Sequence, residues 1–107
     1  MLRIQTFALE TIGALAPVVR RVGAKDPDLA RQLRRAASSI VLNLAEARAA
    51  HDGNSRLRFR SALGSAMETT AALELAIAWE FVEGDAKLLD ALDRIAATLR
   101  KLGRWGP

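Results

Sequence analysis

Arginines crowd one stretch of this chain: Arg48, Arg56, Arg58 and Arg60 flank His51-Asp52-Gly53-Asn54, a turn by composition. Guanidinium groups clustered at a turn can contact the phosphates of RNA or DNA. They can equally be a solvated charge cluster at the start of a helix. Cations near a helix N-terminus are disfavoured by the dipole, so some compensating acid is expected. Only Phe59 lies close enough to act as a stacking platform for single strands. Arg34 and Arg35 form a second basic pair within 34-RRAASSIVLNLAEA-47, a stretch with apolar residues at helical spacing but also two serines, an asparagine and a glutamate.

Other chemistries find little support. His51 is the one histidine, and it falls in a turn by composition, whereas a Ser–His–Asp arrangement needs a buried and oriented histidine. Cysteine is absent, which excludes disulfides, thiolate metal sites and a Cys–His nucleophile. The paired Glu-x-x-His of di-iron bundles is absent, and the glycines are scattered as helix stops rather than gathered into a phosphate loop. The chain is therefore expected to be non-enzymatic, with no metal and no cofactor.

These residues need elements to position them. A chain of 107 residues is one domain's worth, half hydrophobic and rich in Ala and Leu, which favours helices. Four helices are expected, at about 4–22, 27–50, 55–82 and 86–102. The first carries Ile4, Phe7, Ala8, Ile12, Leu15, Val18 and Val22 at spacings of three and four, with Pro17 expected to kink it or end it early. Asp26-Pro27 is a strong start signal for the second, whose face is Leu29, Leu33, Ala36, Ala37, Ile40, Leu44 and Ala47. Asp85 is a plausible N-cap for the fourth, which carries Leu88, Leu89, Leu92, Ile95, Ala96, Leu99 and Leu102. Connections this short force antiparallel neighbours, so the fold class is all-α, an antiparallel up-down-up-down four-helix bundle forming a single domain over 1–107.

The third helix has two stripes. One is Leu63, Met67, Thr70, Leu73, Ile77 and Phe81. The other is Ala62, Ser65, Ala66, Thr69, Ala72, Ala76 and Trp79. Two stripes suggest burial on two sides, the second being a subunit contact through Ala72, Ala76 and Trp79; surface alanines chosen as helix formers are the alternative. Pairing about position 52 brings residue 35 or 36 near 68 or 69. This predicts an Arg35–Glu68 or Arg34–Glu68 ion pair and a close approach of Ala36 and Ala37 to Gly64, Ser65 and Ala66. Asn43 shares the inward side of its helix, so its amide should bond to a backbone group or polar side chain on a neighbouring helix and pin the register; a binding role, with Asn43 facing a groove, is the alternative. Asn43, Glu68 and Gly64 are thus the expected structural pins.

The net charge is +4, with arginines in the first half, acids from Glu68 to Asp93 and a basic last turn through Arg94, Arg100, Lys101 and Arg104. Such asymmetry fits a nucleic-acid partner or complementary charge between neighbouring helices or subunits. No apolar run approaches the roughly 20 residues of a membrane span. The opening MLRIQTFALE is a poor signal peptide, interrupted by Arg3, Gln5 and Glu10. A cytoplasmic location is expected, without membrane association.

Gln32, Arg34, Arg35, Ala36, Ser39, Ile40, Asn43, Ala45 and Glu46, followed by Ala62, Gly64, Ser65 and Glu68, resemble the paired motifs of the 23S ribosomal RNA intervening-sequence proteins. The accessory variability determinant proteins of diversity-generating retroelements are similar to that family. Val41 stands where the family often has proline. Ala47 replaces the usual glycine, so the second helix should run on further than in relatives. The resemblance implies a left-handed four-helix bundle assembling as a homopentamer, without established enzymatic activity. For the retroelement relatives it implies binding to a reverse transcriptase and nucleic acid. The leading expectation is a homo-oligomeric, nucleic-acid-associated accessory protein contacting phosphates through Arg34, Arg35, Arg48, Arg56, Arg58 and Arg60. The alternative is a protein–protein interaction scaffold with no nucleic-acid role.

Overall fold

The computed structural model describes residues 3–50 and 54–104. Among them the chain forms helices α1 (Arg3–Gly23), α2 (Pro27–Ala49), α3 (Ser55–Ala78) and α4 (Ala86–Leu102). The carboxylates of Asp26 and Asp85 cap α2 and α4, each accepting from the amide three residues on at 3.0 Å. Each satisfies one of the orphan donors of a first turn. α1 runs through Pro17 instead of ending there. The proline removes the donor to the Gly13 carbonyl, but both residues are exposed or half-exposed, so water can take its place.

Cross-helix contacts fix the directions. Glu46 meets Arg58 and Ser39 meets Ser65, so α2 and α3 are antiparallel, symmetric about their turn. Arg60 reaches Gly103 between α3 and α4, and the Arg94 guanidinium lies 5.0 Å from the centre of the Phe7 ring between α4 and α1. The helices close a ring α1–α2–α3–α4 round a core centred on Leu15, Leu33, Ile40, Leu44, Leu73, Leu92, Ile95 and Leu99. The body measures 44 × 21 × 19 Å.

α3 ends at Ala78, short of the expected Val82. Trp79 caps it, and Glu80 follows with φ of 63°. The Glu80 amide bonds to the Ile77 carbonyl and the Phe81 amide to the Ala76 carbonyl, each at 2.9 Å. This is the Schellman pattern, with glutamate where glycine is usual. No glycine marks the stop before Gly84, and the apolar Phe81 and Val82 extend the helical pattern past it.

Several expected pins are placed otherwise. Asn43 bonds within its own helix, donating to the Ser39 carbonyl at 2.9 Å and the Ser39 hydroxyl at 3.1 Å. The link between helices is the hydroxyl pair, Ser65 Oγ to Ser39 Oγ at 2.8 Å, so Asn43 acts on the register only through Ser39. Glu68 is exposed and makes no ion pair with Arg34 or Arg35 among the described residues. The register is as symmetry suggests, but all three side chains turn outward. Gly64 is exposed as well, and a Cβ there would meet nothing within 4 Å. Ala36, Ala37 and Ala66, the other small residues the register sets between α2 and α3, are buried, as is Ala62.

The second stripe of α3 is also corrected. Ala72 and Ala76 are buried inside the protomer, leaving them no surface for a subunit contact. Each helix of a four-membered ring has two neighbours, so two buried sides need no second copy. Trp79 alone of that trio is outside, 65% exposed and stacked on Phe81 with ring centres 6.4 Å apart.

Candidate nucleic-acid interface

The bundle gathers cations at the end where α2 finishes and α3 begins. Arg48 lies in the last turn of α2, where a cation suits the helix dipole. Arg56 and Arg58 lie in the first turn of α3, where it does not. The compensation is Glu46, whose Oε2 sits 2.9 Å from the Arg58 guanidinium. The Ser55 hydroxyl donates to the Ala47 carbonyl at 2.9 Å, tying the start of α3 to the last turn of α2.

The antiparallel arrangement brings the last turn of α4 to the same end. Arg60 Nε donates to the Gly103 carbonyl at 2.7 Å. A hollow of about 340 Å³ there is lined by Arg60, Leu63, Leu99, Arg100, Gly103 and Arg104. Arg100 and Lys101 occupy the last turn of α4, and Arg3 begins α1 at the same end. Arg100, Lys101 and Arg104 join the candidate cluster, an addition that the arginines round the α2–α3 turn alone did not reveal. The signal for them was topological: an even number of antiparallel helices returns the chain's last turn to this end.

Arg34 and Arg35 do not belong to this cluster. They stand 14 and 13 residues before Arg48 on α2, or about 20 Å away along the axis at about 1.5 Å per residue. Arg34 instead borders a groove of about 350 Å³ between α1 and α2, with Ile12, Leu15, Ala16, Val19, Arg20, Ala37 and Ser38. Among the described residues no group of three or more His, Asp or Glu side chains could hold a metal ion, and no helix is long and apolar enough to cross a membrane. His51 lies outside the described residues, as do most of the turn round it and the tail beyond Arg104.

Residues 16–102 match the family described as 23S rRNA-intervening sequence protein. No curated protein matches. The fold is similar to the crystal structure of a protein of unknown function from the S23 ribosomal protein family of Bacteroides thetaiotaomicron, with a TM-score of 0.85 over 95% of this chain and 99% of that one. The two sequences are 20% identical, so the likeness speaks for the fold alone.

Proposed function

The chain belongs to the 23S rRNA-intervening sequence protein family, and from that premise we propose that it is a nucleic-acid-associated accessory protein that holds phosphates at the basic end of its bundle. The observation that carries this is the convergence of Arg48, Arg56, Arg58, Arg60, Arg100, Lys101 and Arg104 from three helix termini. Such a cluster suits RNA or DNA backbone more than base edges, because it has cations and little aromatic surface. We read the protein as non-enzymatic. Its polar groups are charges on open surface rather than a convergent acid, base and nucleophile.

Binding of a structured RNA should weaken steeply with salt, because each neutralised phosphate releases counterions. Absence of binding at low salt, or binding indifferent to salt, would sink the proposal.

We also read the chain as homo-oligomeric. Large apolar side chains remain on the outer faces of α2 and α3: Leu42 at 64%, Leu57 at 50%, Met67 at 54% and Leu75 at 46% exposed. α3 has no continuous polar face, so one side is left for a partner. Light scattering at tens of micromolar tests this, and the mass of a single chain would refute it. A scaffold that docks an acidic protein is the second reading, favoured by the same basic end. A pull-down from cells that recovers protein but no nucleic acid would select it.

A further inference from the structure

Two surfaces of the protomer carry complementary patterns. The outer side of α3 has an apolar stripe, Met67, Ala71 and Leu75, all exposed. At about 100° per residue, Glu74 lies beyond one edge of that stripe and Glu68 beyond the other. The α1–α2 groove has the opposite arrangement. Its floor is apolar, with Leu15 and Ala37 buried and Ile12, Ala16 and Val19 half-buried. Arg20 on α1 and Arg34 on α2 stand exposed on its two walls, and no acid lines it.

None of these four charged groups makes an ion pair within the chain among the described residues. Height matches as well. The Glu46–Arg58 and Ser39–Ser65 contacts set Met67 level with Ala37, and Thr70, next to Ala71, level with Arg34; Ala37 and Arg34 are both on the groove's α2 wall. The stripe and the groove therefore lie at the same height on opposite parts of one bundle.

We infer that self-association is head-to-tail, with the α3 stripe of one copy seated in the α1–α2 groove of the next. Arg20 and Arg34 then face Glu74 and Glu68 across the contact. The occupant is a second copy because acid–apolar–acid meets base–apolar–base at equal height without sliding. Two different faces per copy make a heterologous contact, which closes into a ring when the rotation allows. The inference rests on the self-association reading above and names the surfaces for it.

The test is a charge exchange on the full chain. Arg20→Glu/Arg34→Glu sets acid against acid in every contact. Glu68→Arg/Glu74→Arg sets base against base. All four positions are exposed, so both variants should keep the helical circular dichroism of the parent. Each alone should sediment as a single chain or self-associate at least about tenfold more weakly. Mixed one to one, they should bind each other, in pairs or alternating chains even where an odd-numbered ring cannot close, and a chain carrying all four changes should assemble by itself. Parent and variants assembling alike would overturn the inference while leaving self-association intact. So would variants that dissociate alone yet stay apart when mixed. A parent that is a single chain refutes the self-association reading itself.

Discussion

Glu80 holds a backbone conformation, φ of 63°, that costs a side-chain-bearing residue about 1–2 kcal/mol. It sits where a helix stop usually has glycine. Glu80→Gly should stabilise the protein by about 0.5–1 kcal/mol after the entropy of the unfolded glycine is counted. The check is a urea midpoint that rises at unchanged slope. Gly103 is the opposite case. A Cβ there would lie 2.9 Å from Arg60 Cγ and 3.2 Å from the Leu99 carbonyl oxygen. Gly103→Ala should displace the Arg60 stem and lower stability by about 1–2 kcal/mol, read from the same titration. At this scale the sequence was legible where a residue acts on its own backbone, as with the caps Asp26 and Asp85. It was less legible where two side chains had to choose each other. Arg58 took Glu46 while Arg34 and Glu68 stayed apart, because register sets height and not the direction a long exposed side chain turns.

For the elements, α3 is the informative case. Its small residues face the interior, and Ser65 on that side bonds to Ser39 of α2. Leu63 on its other stripe meets α4 at the hollow with Leu99. Both stripes were readable from spacing, but not which neighbour each would cover. A period reports that a side is apolar; only the closed ring says that two apolar sides are needed within one chain. Ala66 is wholly buried, whereas Ala71 is exposed. Ala66→Leu should therefore overpack the α2–α3 contact and cost about 1–3 kcal/mol, while Ala71→Leu should leave the thermal midpoint nearly unchanged in dilute solution. Equal effects would mean that the two helices have room to part. The end of α3 is hard to read for a related reason. Phe81 continues the apolar pattern, yet its amide folds back onto Ala76, and the only hint is the Gly84-Asp85 break shortly after.

On the scale of the molecule, charge is sorted by end rather than by half of the sequence. The α2–α3 turn and the last turn of α4 make one end basic. The other end mixes Arg20, Arg21 and Lys25 with Glu80, Glu83 and Asp85. This separates Arg34 and Arg35 from the four arginines round the α2–α3 turn. Substituting Arg56, Arg58 and Arg100 with Ala should weaken RNA binding and lower the log–log salt slope by roughly 0.7–0.9 for each phosphate left unneutralised. Substituting Arg35, which does not line the α1–α2 groove, should leave that slope nearly unchanged. Filter binding across a salt series distinguishes the two, and equal losses from both would remove the basic end as the site. The helix count and antiparallel order were open to reading because short connections leave few alternatives. The gathering of cations was not, since it joins residues 48 and 104 through topology alone.

The equal height of the α3 stripe and the α1–α2 groove has a further consequence. Copies mated without sliding would stand side by side with every basic end on the same rim. A nucleic acid held weakly by one protomer would then meet the next as an intramolecular event, at an effective concentration set by ring geometry. Such avidity raises overall binding by about 10²–10⁴-fold with no new contact in any single site. Loss of assembly should therefore weaken nucleic-acid binding even when every arginine of the basic end is intact.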